Sequence, residues 1–301
     1  MDLPHDRSHL LWNQGPTERF ASSINNWATA MYLDDQTSSD MISHGRSRSR
    51  IIAKESGILS GRPVLEYLIQ KHCKNWTMQW FFSEGQRFDQ GQEIVTIDAN
   101  SIEILQIERI CMNLITRMSG IASTTSRWCE ELGNVSLAAT RKTNWGVLDK
   151  WAVHVGGGLT HRLDRSDGLM IKENDFSSSK LTLREILLIC GESTDFPVVE
   201  VVSMDHALQV ANAWIDLQRD SSGGRRITLM LDNLGPSVCR KFSDKLTEMG
   251  VRKLFILEGS GRVRQENLEH WALSGADLVS SGSITMQPDI VDMTMLVEAL
   301  Q

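Results

Sequence analysis

The chain has 301 residues, 41% of them hydrophobic, which suits one large domain or a barrel-sized core with a smaller partner and excludes a disordered composition. A net charge of −7 at pH 7 argues against nucleic acid as the main partner, because such proteins present a net basic face. The five cysteines (Cys73, Cys111, Cys129, Cys190, Cys239) form no CxxC pair, no apolar run reaches membrane-spanning length, and the start "MDLPHDRSHLLWNQ" lacks a signal-peptide pattern. A cytoplasmic protein with reduced core thiols and no membrane partner is expected.

In chain order, "TERFASSINNWATAMYL" reads as a helix. "SRIIAKESGILSG" alternates like a strand pair and leads into an amphipathic helix, "RPVLEYLIQKHC". "WTMQWFFSEGQRFDQGQEIVTIDAN" reads as short strands broken by glycine turns. "EILQIERICMNLITRMSGIASTTSRWCEEL" is a long helical stretch carrying Arg109. From about residue 135 the texture changes. Short apolar runs ("VSLAAT", "GLMIKEN", "FPVVEVV", "RITLMLDN", "RKLFILEG", "ADLVSSGS") mostly alternate with amphipathic stretches such as "SMDHALQVANAWIDLQ" and "GPSVCRKFSDKLTEMG". Strands alternating with helices imply parallel β/α units, and near-continuous apolar strands imply that both faces are covered.

The runs end in residues able to do chemistry: Arg141 and Lys142, Lys172, Glu200, Asp232, Glu258, then Ser281 and Gly282. In a β/α barrel the carboxyl ends of the strands share one mouth, where active sites lie. A doubly wound open sheet is the structural rival, but no glycine-rich dinucleotide fingerprint follows the first strand, and the glycines of "VGGGLTHR" have the wrong spacing. Arg109, Arg141, Lys142, Arg162 and Lys172 are cationic, and His161 joins them when protonated, whereas Glu200 and Asp232 are anionic. "EGSG" and "SSGS" are small, donor-rich loops suited to a phosphate. The set suits one substrate bearing carboxylates and another bearing phosphates, with paired acids for a metal ion or ribose hydroxyls. Each residue alone is more often a solvated surface group, so the inference rests on their convergence.

"ATRKTNWGVLDKWAVHVGGGLTHRLDRSDGLMIKEND" resembles the signature of the nicotinate-nucleotide pyrophosphorylases, also called quinolinate phosphoribosyltransferases. "IERICMNLITRMSGIAST", "VVEVVSMDHAL", "LMLDNLGP" and "EGSGRVRQENLEHWALSGADLVSSGSIT" follow the family's order, as does the earlier "IIAKESGILSGRPVLEYL", and the similarity runs from about residue 20. The resemblance implies an α/β protein: an N-terminal α/β open-faced sandwich domain over 1–118, with the tail 289–301 packing back on it, and an incomplete, roughly seven-stranded β/α barrel over 119–288. It implies a homodimer or higher homo-oligomer with shared active sites, in which Arg109 reaches a neighbour's site. The implied reaction joins quinolinate to phosphoribosyl pyrophosphate with Mg²⁺ and no organic cofactor, giving nicotinate mononucleotide, pyrophosphate and carbon dioxide. Arg141, His161, Arg162 and Lys172 would bind the dicarboxylate with Lys142 nearby, and Glu200 and Asp232 would face the ribose and metal. Ser260, Gly261 and Gly282 would hold the phosphate, with Glu258 and Ser281 counted among the substrate-binding residues.

The chain departs from the family pattern close to the site. Ala139 stands for an acid, Trp145 in "NWG" for a proline, Thr160 for an asparagine and Asp175 for a histidine. Val199 replaces an acid, Gly259 stands where alanine is common, and Arg262 replaces the second glycine of the phosphate loop. Changes behind a binding surface shift substrate choice without changing reaction type. They raise two alternatives: a paralogue acting on a different acidic heteroaromatic in a specialised pathway, and a non-catalytic ligand sensor on the same scaffold. A Schiff-base aldolase using Lys172 is disfavoured by the surrounding arginines. A lipoyl-type carrier module at "EGQRFDQGQEIVTI" lacks a lysine at the hairpin tip.

Overall fold

The computed structural model describes residues 3–35, 45–172, 175, 178–193, 196–219 and 225–300. They form two compact units: Ser8–Ser126, Thr143–Gly157 and Ile284–Gln301 in one, and Met1–Arg7, Arg127–Lys142 and Gly158–Ser283 in the other.

In the first unit, helix α1 (Glu18–Asp34) starts where the Thr17 hydroxyl accepts the Phe20 N–H at 3.4 Å. It buries Phe20, Ile24 and Ala28, one stripe at four-residue spacing. Strands β1 (Arg46–Ala53), β3 (Thr77–Trp80) and β5 (Glu93–Asn100) join the C-terminal strand β12 (Met293–Ala299) in an antiparallel sheet of order β12-β1-β5-β3. The predicted pairing within "SRIIAKESGILSG" does not form, because β2 (Gly57–Ile58) pairs instead with β4 (Arg87–Phe88). The chain leaves the first sheet at Ala53: the Lys54 N–H donates to the Asp292 carbonyl, and the Ile58 N–H to the Ser123 hydroxyl, both at 2.8 Å. Helices α2 (Arg62–His72), α3 (Ser101–Leu132) and α4 (Val147–Val155) follow, with α3 belonging to this unit as far as Ser126. Fully buried Asp149 ties the start of α4 to the middle of α3. Its carboxylate accepts Arg117 at 3.1 and 3.2 Å and the N–H groups of Asn144 and Trp145 at 2.9 and 3.2 Å. The Arg117 guanidinium also lies 4.9 Å over the Trp145 ring. The tryptophan of "NWG" therefore closes this polar cluster from one side.

The second unit is built on six parallel strands: β6 (Ser136–Ala138), β7 (Met170–Ile171), β8 (Val198–Val201), β9 (Ile227–Asp232), β10 (Phe255–Ser260) and β11 (Leu278–Ser280). Their order is β6-β11-β10-β9-β8-β7, and Leu159 adds a single parallel bridge beyond β6. Starting from β6 the sequence order runs round the sheet without reversing, the arrangement of a barrel rather than of a doubly wound sheet, whose order reverses at a switch point. Among the described residues no ladder joins the Leu159 bridge to β7, so the barrel is open there. Helices α5 (Leu183–Ser193), α6 (Met204–Arg219), α7 (Pro236–Glu248) and α8 (Leu268–Ala272) connect successive strands.

Register partners share a face, and residues two apart on a strand share it as well. Glu200 pairs with Met230, Met230 with Glu258, and Glu258 with Leu278, while Asp232 pairs with Ser260 and Ser260 with Ser280. Glu200, Asp232, Glu258, Ser260 and Ser280 therefore lie on one face, the face that carries the cluster of Phe196, Val198, Met230 and Met170. Strand β10 runs two residues past Glu258, so the residue that closes that apolar run lies one layer below the mouth, and Ser260 is the true strand end.

The five thiols are free; all but Cys129 are buried, and burial pushes Cys73 and Cys190 up to about 12. No helix among the described residues is long and apolar enough to cross a membrane.

Candidate active site

Three arginines and a lysine share the lining of one cavity of about 530 Å³: Arg141, Arg162, Arg165 and Lys172, with Leu181 and Ile189 on its apolar side. Arg162 is the buried member, only 8% exposed. Burial, then repulsion from Arg141 and Arg165, lowers its affinity for its proton. An arginine nevertheless stays charged in a protein, so this cation is held at a cost that a carboxylate ligand would relieve. Its Nη1 donates to the Gly168 carbonyl at 3.2 Å, and Nη2 lies 3.4 Å from the Met170 sulfur, leaving the fork with further donors. Lys172 leaves the end of β7 and pairs directly with Glu200 of β8. Asp175 holds that turn, its Oδ2 accepting the Lys172 N–H at 2.8 Å, which accounts for an acid at this position.

On the neighbouring strand ends, Asn233 Nδ2 donates to Asp232 Oδ2 at 2.8 Å, and the Asn233 N–H donates to the Ser260 carbonyl at 2.8 Å. Asn233 thus aims Asp232 and ties the chain after β9 to the last residue of β10, where the next loop begins. Gly261 in that loop has φ +84°, and a β-carbon there would fall 2.3 Å from the Asn233 side-chain oxygen, so only glycine fits. Gly259 is likewise required, since an alanine methyl would lie 2.2 Å from the Trp271 ring. The Ser281 hydroxyl donates to the Val263 carbonyl at 2.9 Å and its N–H to the Ala138 carbonyl at 3.1 Å, joining the loops after β10, β11 and β6. Gly282 borders Lys142: a β-carbon on it would stand 3.1 Å from the lysine Cδ. Among the described residues of this unit, three that are not glycine hold left-handed backbone, His161 (φ +52°), Asn233 (+58°) and Arg262 (+54°). Such strain persists where the surrounding structure over-determines it.

Beneath this surface His161 and Glu258 form a buried pair. His161 Nε2 lies 3.1 Å from both carboxylate oxygens, and Ser280 donates to Oε1 at 2.6 Å. His161 Nδ1 accepts the Arg162 backbone N–H at 2.7 Å, so the ring proton sits on Nε2 and points at Glu258. Both ring nitrogens are occupied within the protein. Burial alone would push the Glu258 carboxyl up, but attraction to His161 and the surrounding hydrogen bonds outweigh it and hold the group well below the usual carboxylate range.

His5 completes the group, its Nε2 3.6 Å from Glu258 Oε2. His5, His161 and Glu258 offer ligand atoms within 4.8 Å of one another, close enough for a metal ion. The His161 tautomer opposes one, because the Nε2 lone pair a metal needs already carries the proton.

Burial pulls His5 down to about 4. The unfolded chain takes up this proton near pH 6.5 and the folded chain only near pH 4, so the stability present above pH 6.5 is lost as pH falls through that window, by about 3 kcal/mol. Melting of a His5→Leu variant is therefore expected to decline less steeply than wild type between about pH 7 and 4.5. Parallel declines would rule out a buried neutral ring.

Of the expected substrate- and metal-binding residues, the barrel unit contains all but Arg109. Arg109 is exposed on the α3 portion of the other unit. Arg165, Asn233, Ser280 and His5 were not among the expected site residues. Asn233 was signalled by its place beside Asp232 at a strand end, whereas His5, alone in a stretch without periodicity, carried no signal.

A family model of the quinolinate phosphoribosyl transferase C-terminal domain matches residues 121–296, and one of the N-terminal domain matches residues 35–119. A probable nicotinate-nucleotide pyrophosphorylase [carboxylating] of Methanothermobacter thermautotrophicus is 30% identical over 89% of this chain and 95% of that protein. One of Archaeoglobus fulgidus is 31% identical over 82% and 93%. Among solved structures, NadC from Streptococcus pyogenes superposes with a TM-score of 0.78 at 27% identity, covering 93% of this chain and 99% of that one. The nicotinate-nucleotide pyrophosphorylase of Francisella tularensis, at 24% identity and a TM-score of 0.78 over 92% and 96%, shares the fold. With both of its domain models matched in order, and 30% identity over most of its length, the chain belongs to the quinolinate phosphoribosyltransferase family.

Proposed function

We propose that the protein joins quinolinate to phosphoribosyl pyrophosphate and releases pyrophosphate and carbon dioxide, forming nicotinate mononucleotide on a route to pyridine nucleotides. The observation that carries this reading is one cavity lined by Arg141, Arg162, Arg165 and Lys172, whose lysine pairs with Glu200, and Glu200 shares its sheet face with Asp232 at the end of the adjacent strand. The arginines clamp the dicarboxylate and present its ring nitrogen to the sugar. As pyrophosphate leaves, the ribose ring becomes positive, and Glu200 and Asp232 stabilise that charge. Lys142 and Lys172 place ammonium charge near the reacting ring. The ribosylated nitrogen is cationic, so it stabilises the electron pair left on the neighbouring ring carbon when the carboxylate departs as carbon dioxide, and a proton from water then completes that carbon's C–H bond. Ser260, Gly261 and Gly282 hold phosphate oxygens on backbone and hydroxyl donors, while Ser281, whose hydroxyl and N–H are both spent on carbonyls of neighbouring loops, braces them from behind. Both ring nitrogens of His161 face protein groups, so His161 and Glu258 support the pocket floor in this reading rather than touch the acid.

Mg²⁺ suits the hard oxygen donors of Glu200 and Asp232 together with substrate oxygens, and would neutralise charge on the leaving pyrophosphate. In this reading Arg109 serves a neighbouring subunit's site, in a dimer or larger homo-oligomer.

The test is pyrophosphate release from phosphoribosyl pyrophosphate and Mg²⁺ with quinolinate, nicotinate and related acids. Turnover with quinolinate and release of carbon dioxide are expected. No release with any acid would leave only a ligand sensor. Mixing inactive Arg109→Ala and Glu200→Gln proteins should restore about a quarter of wild-type activity if sites combine two subunits and exchange at random. No recovery after subunit exchange removes the shared site. The apolar side chains of Leu181, Ile186 and Ile189 in the same lining favour, as a second reading, a bulkier acidic heteroaromatic.

A further inference from the structure

Residues 3–7 lie outside both family-model matches, which begin at residues 35 and 121, yet they belong to the barrel unit. They run along its open side. The Arg7 N–H donates to Thr160 Oγ1 at 2.7 Å, and its guanidinium meets Asp167 at 2.9 Å. The other Asp167 oxygen accepts the Leu163 N–H at 2.9 Å. Thr160 and Asp167 both belong to the stretch between the Leu159 bridge and β7, where the ladder is interrupted. Threonine at position 160 thus provides the acceptor that docks this segment. Leu3 packs with Ala138, Ile256, Leu278 and Leu159 inside the barrel.

His5 enters the same interior. Its ring stands edge-on to His161, with centroids 5.1 Å apart, and to Phe196 at 4.4 Å. A residue chosen for packing alone would be apolar here. Neither ring nitrogen of His5 has a hydrogen-bond partner among the described residues, and burying such a group costs about 1–3 kcal/mol. The imidazole is therefore kept against stability, and it faces the His161–Glu258 pair. His161 is itself strained at φ +52°, so its orientation depends on what surrounds it.

We propose that residues 3–7 are a built-in filler of the open barrel, and that His5 is a positioning residue that wedges the His161–Glu258 pair into the orientation in which His161 Nδ1 holds the Arg162 main chain. The filler stands independently, whereas the consequence for turnover rests on the phosphoribosyltransferase reading. Without the imidazole, even where its volume is refilled, Glu258 loses the ring nitrogen that stands 3.6 Å from its Oε2, the His161–Glu258 pair shifts, the bond of His161 to the Arg162 N–H weakens, and the buried cation of the acid pocket loses its fixed base.

Three variants separate these roles. His5→Ala leaves a void and should lower the melting temperature by about 4–8 °C. His5→Leu keeps the volume without the nitrogens, and its melting temperature at about pH 7.5 should stay within about 2 °C of wild type or rise. Histidine ¹⁵N spectra of His5→Leu should nevertheless show His161 losing its single Nε2–H tautomer. With quinolinate, kcat/KM should fall about tenfold while KM for phosphoribosyl pyrophosphate is unchanged, and His5→Asn should recover part of the loss. An unaltered His161 spectrum and unaltered kinetics in His5→Leu would overturn the positioning role. An unchanged melting temperature in His5→Ala would overturn the filler. Should wild type fail to turn over quinolinate, the functional reading fails, while the melting and spectral measurements still decide the filler and the wedge.

Discussion

Arg162→Ala is expected to lower kcat/KM for quinolinate about a thousandfold, roughly 4 kcal/mol at about 1.4 kcal/mol per tenfold, without unfolding the protein. Two observations set the size of the effect. The guanidinium is buried beside Arg141 and Arg165, so its charge is poorly screened and its pairing with a carboxylate is strong. Among the described residues its bonds are few, one to the Gly168 carbonyl and a longer one to the Met170 sulfur. Removing the side chain therefore breaks little in the unliganded fold and relieves repulsion among three cations. Melting should be unchanged or slightly raised, in contrast to loss of a paired buried charge such as Asp149, which would strand Arg117. KM for phosphoribosyl pyrophosphate should stay within about threefold, because the sugar side of the site is built from other strands. Steady-state kinetics varying each substrate, beside a melting curve, check the prediction. A loss smaller than about tenfold for the acid would mean that Arg162 is not its principal anchor.

Much of this arrangement was legible in the sequence, for a reason visible in the strands themselves. β9 carries five buried residues before Asp232, a pattern that only a strand covered on both sides tolerates. An acid closing such a run must sit where the strand meets solvent or a partner. The same logic misplaced Glu258 by one layer, because a buried glutamate paired with His161 and Ser280 interrupts an apolar run as a strand end does. Hydropathy cannot separate these two situations; the register of β10 against β9 and β11 does. The pairing of β2 with β4 rather than β1 was hidden for a related reason, since alternation marks a strand without naming its neighbour. The departures from the family pattern became interpretable only through contacts distant in the chain. Gly259 answers to Trp271, Thr160 to Arg7, and Trp145 to Arg117. Each is one half of a local exchange whose other half lies 12 to 153 residues away.

Glu200→Gln tests the opposite side of the site and should have a different kinetic signature. The substitution keeps the shape of the side chain and removes its charge, so what it deletes is the field felt by the ribose as positive charge develops. Removal of one preorganised electrostatic partner of a transition state costs about a hundred- to a thousandfold in kcat. KM for quinolinate should not rise, because the acid is held by cations on other side chains. Glu200 also pairs with Lys172, and this pairing sharpens the test. The amide introduced by the substitution cannot neutralise the lysine, so Lys172 gains an uncompensated charge that draws anions more strongly and repels a sugar cation. Part of the loss in Glu200→Gln would then come from Lys172 rather than from the missing carboxylate. Glu200→Gln combined with Lys172→Met separates the two contributions, since residues in one ion pair are not additive. If the carboxylate acts on the ribose, the double variant remains at least as slow as Glu200→Gln alone. Recovery of kcat in the double variant would reduce Glu200 to a counter-ion for Lys172 and leave Asp232, aimed by Asn233, as the acid that faces the sugar.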